Sequence, residues 1–124
     1  MLRIDHIVLT VDDIQETIDF YTHIFKMEAI TFGDNRRALR FGEQKINLHQ
    51  RGKEFLPCAS RPTPGSIDIC FISDESIDIF EERIKMMGLE IEEGPVKRSG
   101  AVGEILSIYF RDPSGNLIEI SNYL

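Results

Sequence analysis

The sequence predicts an α+β fold of two tandem βαβββ modules, whose strands form a curved, cavity-enclosing mixed sheet with the helices outside. Three observations predict it. The segments "HIVLTVDDIQETIDFYTHIFKMEAI" (6–30) and "DICFISDESIDIFEERIKMMGLEIEE" (68–93) share one plan: a β-rich run, an Asp-containing turn and an amphipathic helix. Three further strand candidates follow each helix. The stretch "GKEFLPCASRPTPG" (52–65), rich in Pro and Gly, separates the two halves. Module 1 therefore covers about 1–51, the linker about 52–65 and module 2 about 66–124, within one domain.

The elements follow in order. The opening "MLRIDHIVLTV" carries one Arg, then Asp5, and reads as a strand rather than a secretory signal. Asp13 is a candidate N-cap for the first helix, with Glu16 three residues on as in a capping box. Ile14, Ile18, Tyr21 and Phe25 repeat at helical spacing and, with Phe20, supply its core face. Strands are expected at 29–32, 37–41 and 45–50, the last two joined by "GEQ" (42–44). The second helix starts near Ser76, buries Ile79 or Phe80 with Ile84 and Met87, and stops at Gly88, a natural helix-ending residue. Strands at 89–93, 105–111 and 117–122 complete the chain, with "DPSGN" (112–116) as the last turn.

Bulk composition narrows the function. With 124 residues there is room for one compact domain. A hydrophobic share of 42% and a charged share of 28% suit a globular protein. The net charge of −7 argues against nucleic acid and against an anionic membrane surface. No apolar run approaches the roughly 20 residues of a membrane span. Cys58 and Cys70 are too few for a disulfide framework, so a cytoplasmic protein with reduced thiols is expected.

Superposing the halves sets His6 on Asp68, Asn47 on Glu119, and His49 on Ser121. Four equivalent strand positions thus carry His6, Asn47, Asp68 and Glu119, each beside apolar neighbours that must face a helix. The polar four then face the cavity. Imidazoles and carboxylates gathered there suit a borderline divalent cation such as Zn, Ni, Mn or Fe. His49, two residues past Asn47 on the same face, is a further candidate ligand.

The stretches "IDHIVLTVDDIQETIDFYTHIFKM" and "SIYFRDPSGNLIEISNY" resemble the opening strand–helix and closing hairpin of the glyoxalase/bleomycin-resistance/extradiol-dioxygenase (vicinal oxygen chelate) superfamily. The segment "EEGPVKRSGAVGEI" (92–105) resembles the loop that covers substrate in its glyoxalase-like branch. The resemblance implies a metal held by first- and last-strand residues of each half, here His6 and Glu119, with His49 or Asp68 completing the set. It implies an enzyme of lyase or isomerase type, similar to lactoylglutathione lyase, acting on a small oxygen-rich substrate through bidentate chelation. Glu119 or Asp68 would be the catalytic base. Asn47 stands where glyoxalase I enzymes carry Glu, and Asp68 where metal-binding members carry His. Asn47 therefore becomes a substrate-binding candidate, joined by Arg51, Lys97 and Arg98, loop cations able to steer an anionic substrate.

The alternatives are a metal-free small-molecule binding or resistance protein and an Fe(II) extradiol-type dioxygenase using His6, His49 and Glu119. The resemblance also implies a homodimer, with the cavity closed within one chain or shared between two. His23 is expected on the surface, and Cys70 as a small buried thiol.

Overall fold

The computed structural model describes residues 1–124. The elements are β1 (His6–Val11), α1 (Ile14–Phe25), β2 (Glu28–Phe32), β3 (Arg36–Phe41), β4 (Gln44–Gln50), β5 (Asp68–Ile72), α2 (Ile77–Met86), β6 (Glu93–Ser99), β7 (Glu104–Arg111) and β8 (Leu117–Tyr123). They form two four-stranded mixed sheets, each with one helix, and neither sheet closes on itself. One compact unit holds Met1–Ser66 with Pro113–Gly115; the other holds Ile67–Asp112 with Asn116–Leu124. No helix is long and apolar enough to cross a membrane.

In the first unit the strand order is β1-β4-β3-β2, with β1 parallel to β4 and the other pairs antiparallel. Period-2 alternation turns Leu9, Val11, Leu39, Ile46 and Leu48 to one face, all buried. Ile18, Tyr21 and Ile24 of α1 are buried with them, and each such aliphatic side chain contributes about 1.5–3 kcal/mol on leaving water. The helix begins as expected: Asp13 is extended (φ −145°, ψ 115°) and accepts from the Glu16 N–H at 2.9 Å. A second grip comes from β4. The Gln50 carboxamide accepts from the Ile14 N–H at 3.3 Å and donates to the Asp12 carbonyl at 2.6 Å.

The second unit repeats this plan with order β5-β8-β7-β6. Asn122, one residue before the end of β8, accepts from the Ile77 N–H at 2.9 Å and donates to the Ser73 and Glu75 carbonyls at 2.9 and 2.7 Å. Ser76 caps α2, whose buried face is Ile77, Phe80 and Ile84, while Ile79 and Met87 are 37% and 39% exposed. Registers match as well. His6 opposite Lys45 and Val8 opposite Asn47 correspond to Asp68 opposite Leu117 and Cys70 opposite Glu119. The equivalence of positions read from the repeat is thus matched by the registers of the two sheets.

The turn after β7 explains its residues. Buried Asp112 accepts from the Asn116 backbone N–H at 3.0 Å and from its side-chain amide at 2.9 Å. Asn116 Oδ1 in turn accepts from the Ile67 N–H at 3.0 Å, fixing the entry to β5.

One element differs from expectation. The strand expected at 89–93 lies instead at Glu93–Ser99, so half of the expected covering loop at 92–105 is strand β6. The Gly94-Pro95 pair, which reads as a break, forms an irregularity between Glu93 and Val96, after which pairing with β7 resumes. Gly94 has φ +109°, and a Cβ there would lie 2.4 Å from the Ser107 carbonyl oxygen, so only glycine fits. Lys97 and Arg98 consequently stand on a strand rather than in a loop.

Candidate functional site

Glu119 occupies the centre of the second unit's polar face. Strand pairing sets Cys70 on one side of it and Tyr109 on the other. Its Oε2 accepts from Ser107 Oγ at 2.6 Å, and Ser107 Oγ lies 2.6 Å from Ser121 Oγ. Ser107 and Ser121 are fully buried. Ser121 reaches the same Oε2 at 3.4 Å, and Tyr109 and Cys70 also interact with the Glu119 carboxylate. A cavity of about 360 Å³ opens on this face, lined by Glu119, Cys70, Tyr109, Arg98, Tyr123 and Ile105 among others. That volume suits a small molecule.

Electrostatics on this face follow from burial and from Glu119. Burial pushes the Cys70 thiol up, Ser121 opposes, and the Glu119 charge adds to the rise. Burial also raises Tyr109, against the hydrogen bond from Arg98 Nε to its hydroxyl at 3.1 Å and with the help of Glu119. Both side chains therefore stay protonated, presenting donors to the cavity. Cys70 borders this cavity instead of being fully buried. Arg98 also pairs with Glu93 at 3.1 Å. Asp68 lies on the same sheet face, two residues before Cys70, and is exposed at the start of β5.

The first unit carries His6, Asn47 and His49 on one face by register. His6 is exposed, and its Nδ1 contacts Asp5 Oδ2 at 2.7 Å; that bond holds the Asp5 carboxyl below its usual range. Nε2 is left free. His49 is 2% exposed, with Nε2 3.5 Å from Arg36 Nη2 and its ring edge-on to Phe55. Burial, then the Arg36 charge, lowers its pKa, with Glu54 opposing. His49 Nδ1 and Asn47 Oδ1 are both buried without a hydrogen-bond partner. Such an orphan costs about 1–3 kcal/mol.

The other expected site residues are placed as follows. Arg51 pairs with Asp12 at 3.2 Å, and Lys97 lies 3.9 Å from Glu104. Arg98 lines the cavity. His23 is exposed, with Nδ1 2.8 Å from the Asp19 carbonyl. No three His, Cys, Asp or Glu side chains gather within either unit as a divalent ion requires. Sequence reasoning missed Tyr109, Ser107 and Arg36. The hairpin registers could have found them, because Tyr109 stands opposite Glu119 and Arg36 lies on the β3 face shared with Ala38, opposite Asn47.

Comparison with known proteins places these observations. Residues 3–120 match the family model described as Glyoxalase/Bleomycin resistance protein/Dioxygenase superfamily. Virulence protein STM3117 of Salmonella typhimurium is 60% identical over 122 residues, covering 98% of this chain and 85% of that protein. Its crystal structure superposes with a TM-score of 0.96, covering 100% of this chain and 98% of the other. The glyoxalase domain-containing protein RDO1 of Mycosarcoma maydis is 55% identical, covering 97% of this chain and 68% of that one. The fosfomycin resistance protein FosX of Listeria monocytogenes, crystallised with Mn(II) and sulfate, is 26% identical with a TM-score of 0.70, covering 100% of this chain and 92% of the other.

Proposed function

The chain belongs to the Glyoxalase/Bleomycin resistance protein/Dioxygenase superfamily, and from that premise we propose that it is a metal-dependent, glyoxalase-like enzyme of lyase or isomerase type. Its substrate would be small and oxygen-rich, and its setting the cytoplasm. The observation that carries this reading is the way two strand residues are tethered. His6 spends Nδ1 on Asp5 and leaves Nε2 free, as metal-bound histidines do when a carboxylate holds their other nitrogen. Glu119 has its Oε2 held by Ser107 on the face that borders the cavity. Donor chemistry fits Zn, Ni, Mn or Fe, and the Mn(II) in FosX supports a divalent ion.

His6, Asp68 and Glu119 would hold the metal. His6 belongs to the first unit, and Asp68 and Glu119 to the second; the protein is proposed to act as a homodimer. When bound, the metal would supply Lewis acidity toward two neighbouring substrate oxygens. Glu119, or Asp68, takes a substrate proton; Ser107 holds the second oxygen of Glu119 throughout. Arg98 and the Tyr109 hydroxyl orient anionic or carbonyl oxygens. Arg51 and Lys97, already beside carboxylates, only steer. We assign His49 to ligand recognition instead of metal, because a guanidinium 3.5 Å from Nε2 repels a cation there. The same contact weighs against a dioxygenase site built on His6, His49 and Glu119.

Metal content of protein purified without added metal, and its uptake of Ni, Zn, Mn and Fe, test the reading beside His6→Ala and Glu119→Ala. Loss of metal in both folded variants is the expected result. A wild type that takes up none of the four ions overturns it. That outcome would favour the second reading, a metal-free binding protein, which the lack of three gathered donors in either unit supports.

A further inference from the structure

Three arginines, Arg36, Arg37 and Arg61, make no ion pair with a carboxylate. Arg3, Arg40, Arg51, Arg83, Arg98 and Arg111 each pair with a carboxylate. Arg36, although half-buried at the start of β3, makes no such pair; its guanidinium instead lies over the rings of Phe55 and Phe32, at 4.6 and 5.2 Å from their centroids. Lys45 Nζ sits 3.8 Å from the centre of the same Phe32 ring, adding a second cation. Two aromatic faces hold the guanidinium plane in place and leave its N–H edge for a ligand.

Beside it lie the two orphaned atoms. A guanidinium only donates, so the Arg36 contact makes His49 Nε2 the acceptor and puts the ring proton on Nδ1. That Nδ1–H is buried and unpartnered, as is Asn47 Oδ1 two residues earlier on the same strand face. Ala38, opposite Asn47, contributes only a methyl group beside the carboxamide. The acid that acts on His49 is Glu54, whose carboxylate is engaged by the Gly52 N–H at 3.0 Å. The cover is Phe55, 39% exposed on the irregular segment that follows β4, with its ring against His49.

We propose that Arg36, His49 and Asn47 form a binding subsite for a small 2-hydroxy carboxylate, entered when Phe55 turns aside. The carboxylate takes the planar N–H edge of Arg36, whose guanidinium His49 Nε2 helps to hold. The neighbouring hydroxyl answers Asn47; a hydroxyl both donates and accepts, so it suits the carboxamide in either orientation. The subsite lies wholly within the first unit and needs no metal, so it stands or falls independently of the metal reading.

The test is an NMR titration of the ¹⁵N-labelled full chain, without added metal, using L-lactate, propionate and inorganic phosphate as probes. Lactate is expected to give saturable shifts at the Arg36 Nε–H, the Asn47 carboxamide and Phe55, half-saturating about tenfold below propionate, the worth of one added hydrogen bond. Arg36→Met is expected to abolish saturation by both acids, and Asn47→Ala to erase the lactate preference while keeping propionate binding. Should Arg36→Met not fold, Arg36→Lys keeps the charge without the planar fork and is expected to weaken lactate about fivefold. Three outcomes overturn the proposal: no saturation in wild type, equal affinity for lactate and propionate, or tighter binding of phosphate than of lactate.

Discussion

His49 is held neutral by its surroundings. Only 2% of it reaches solvent, and burial and the Arg36 charge both disfavour the imidazolium. In the unfolded chain it binds a proton near its ordinary value of 6.5, whereas in the fold it resists to lower pH. The unfolded state then carries the extra proton, so stability falls as pH drops through 6.5 and levels off below the folded value. Urea midpoints measured between about pH 7.5 and 5 are expected to decline for the wild type, with a shallower slope for His49→Gln. A wild type and a variant with the same slope would remove His49 as the source. Alternation alone puts Asn47, His49 and Glu119 opposite the helix-facing residues, because a strand's period of two is built into its geometry. Their partners were not legible in this way. Whether Glu119 meets Ser107 and Tyr109, or His49 meets Arg36, depends on sheet order and register, which no single strand encodes.

At the scale of elements, each sheet reaches out to fix its own helix. The last strand of each unit carries an amide residue at or one before its end, Gln50 or Asn122, which holds the first turn of α1 or α2. The two clamps differ in number of bonds. Asn122 makes three, all at 2.9 Å or shorter, and Gln50 makes two, one of them 3.3 Å. Asn122→Ala is therefore expected to cost about 2–3 kcal/mol and Gln50→Ala about 1–2 kcal/mol in urea unfolding. A larger loss for Gln50→Ala would contradict this ranking. Helix starts at Asp13 and Ser76 were legible because a cap is a local signal. Strand β6 was not. Gly94 and Pro95 look like a loop when only the chain is considered, but the partner strand carries the ladder past them.

For the whole molecule, duplication was the most legible feature, since both units reuse one order of strands and one register. Val8 and Ile72 occupy the polar faces of their sheets and are 44% and 48% exposed. Burial of these two side chains against a second copy would remove their apolar surface from water. Light scattering on the full chain is expected to give the mass of a dimer at micromolar concentration, and Val8→Asp with Ile72→Asp to give the 14.2 kDa monomer. A wild-type monomer would contradict the pairing.

The parallel union of β1 with β4 bears on how the chain is made. β1 is an edge strand whose one ladder partner, β4, is synthesised after α1, β2 and β3. While the ribosome works through those elements, Leu9 and Val11 have no sheet to join, and an apolar strand waits unpaired. The same delay recurs with β5, which waits for β8 near the end of the chain. A nascent chain stalled before Gln44 would thus expose a sticky strand to chaperones, and one released just past Gln50 would not.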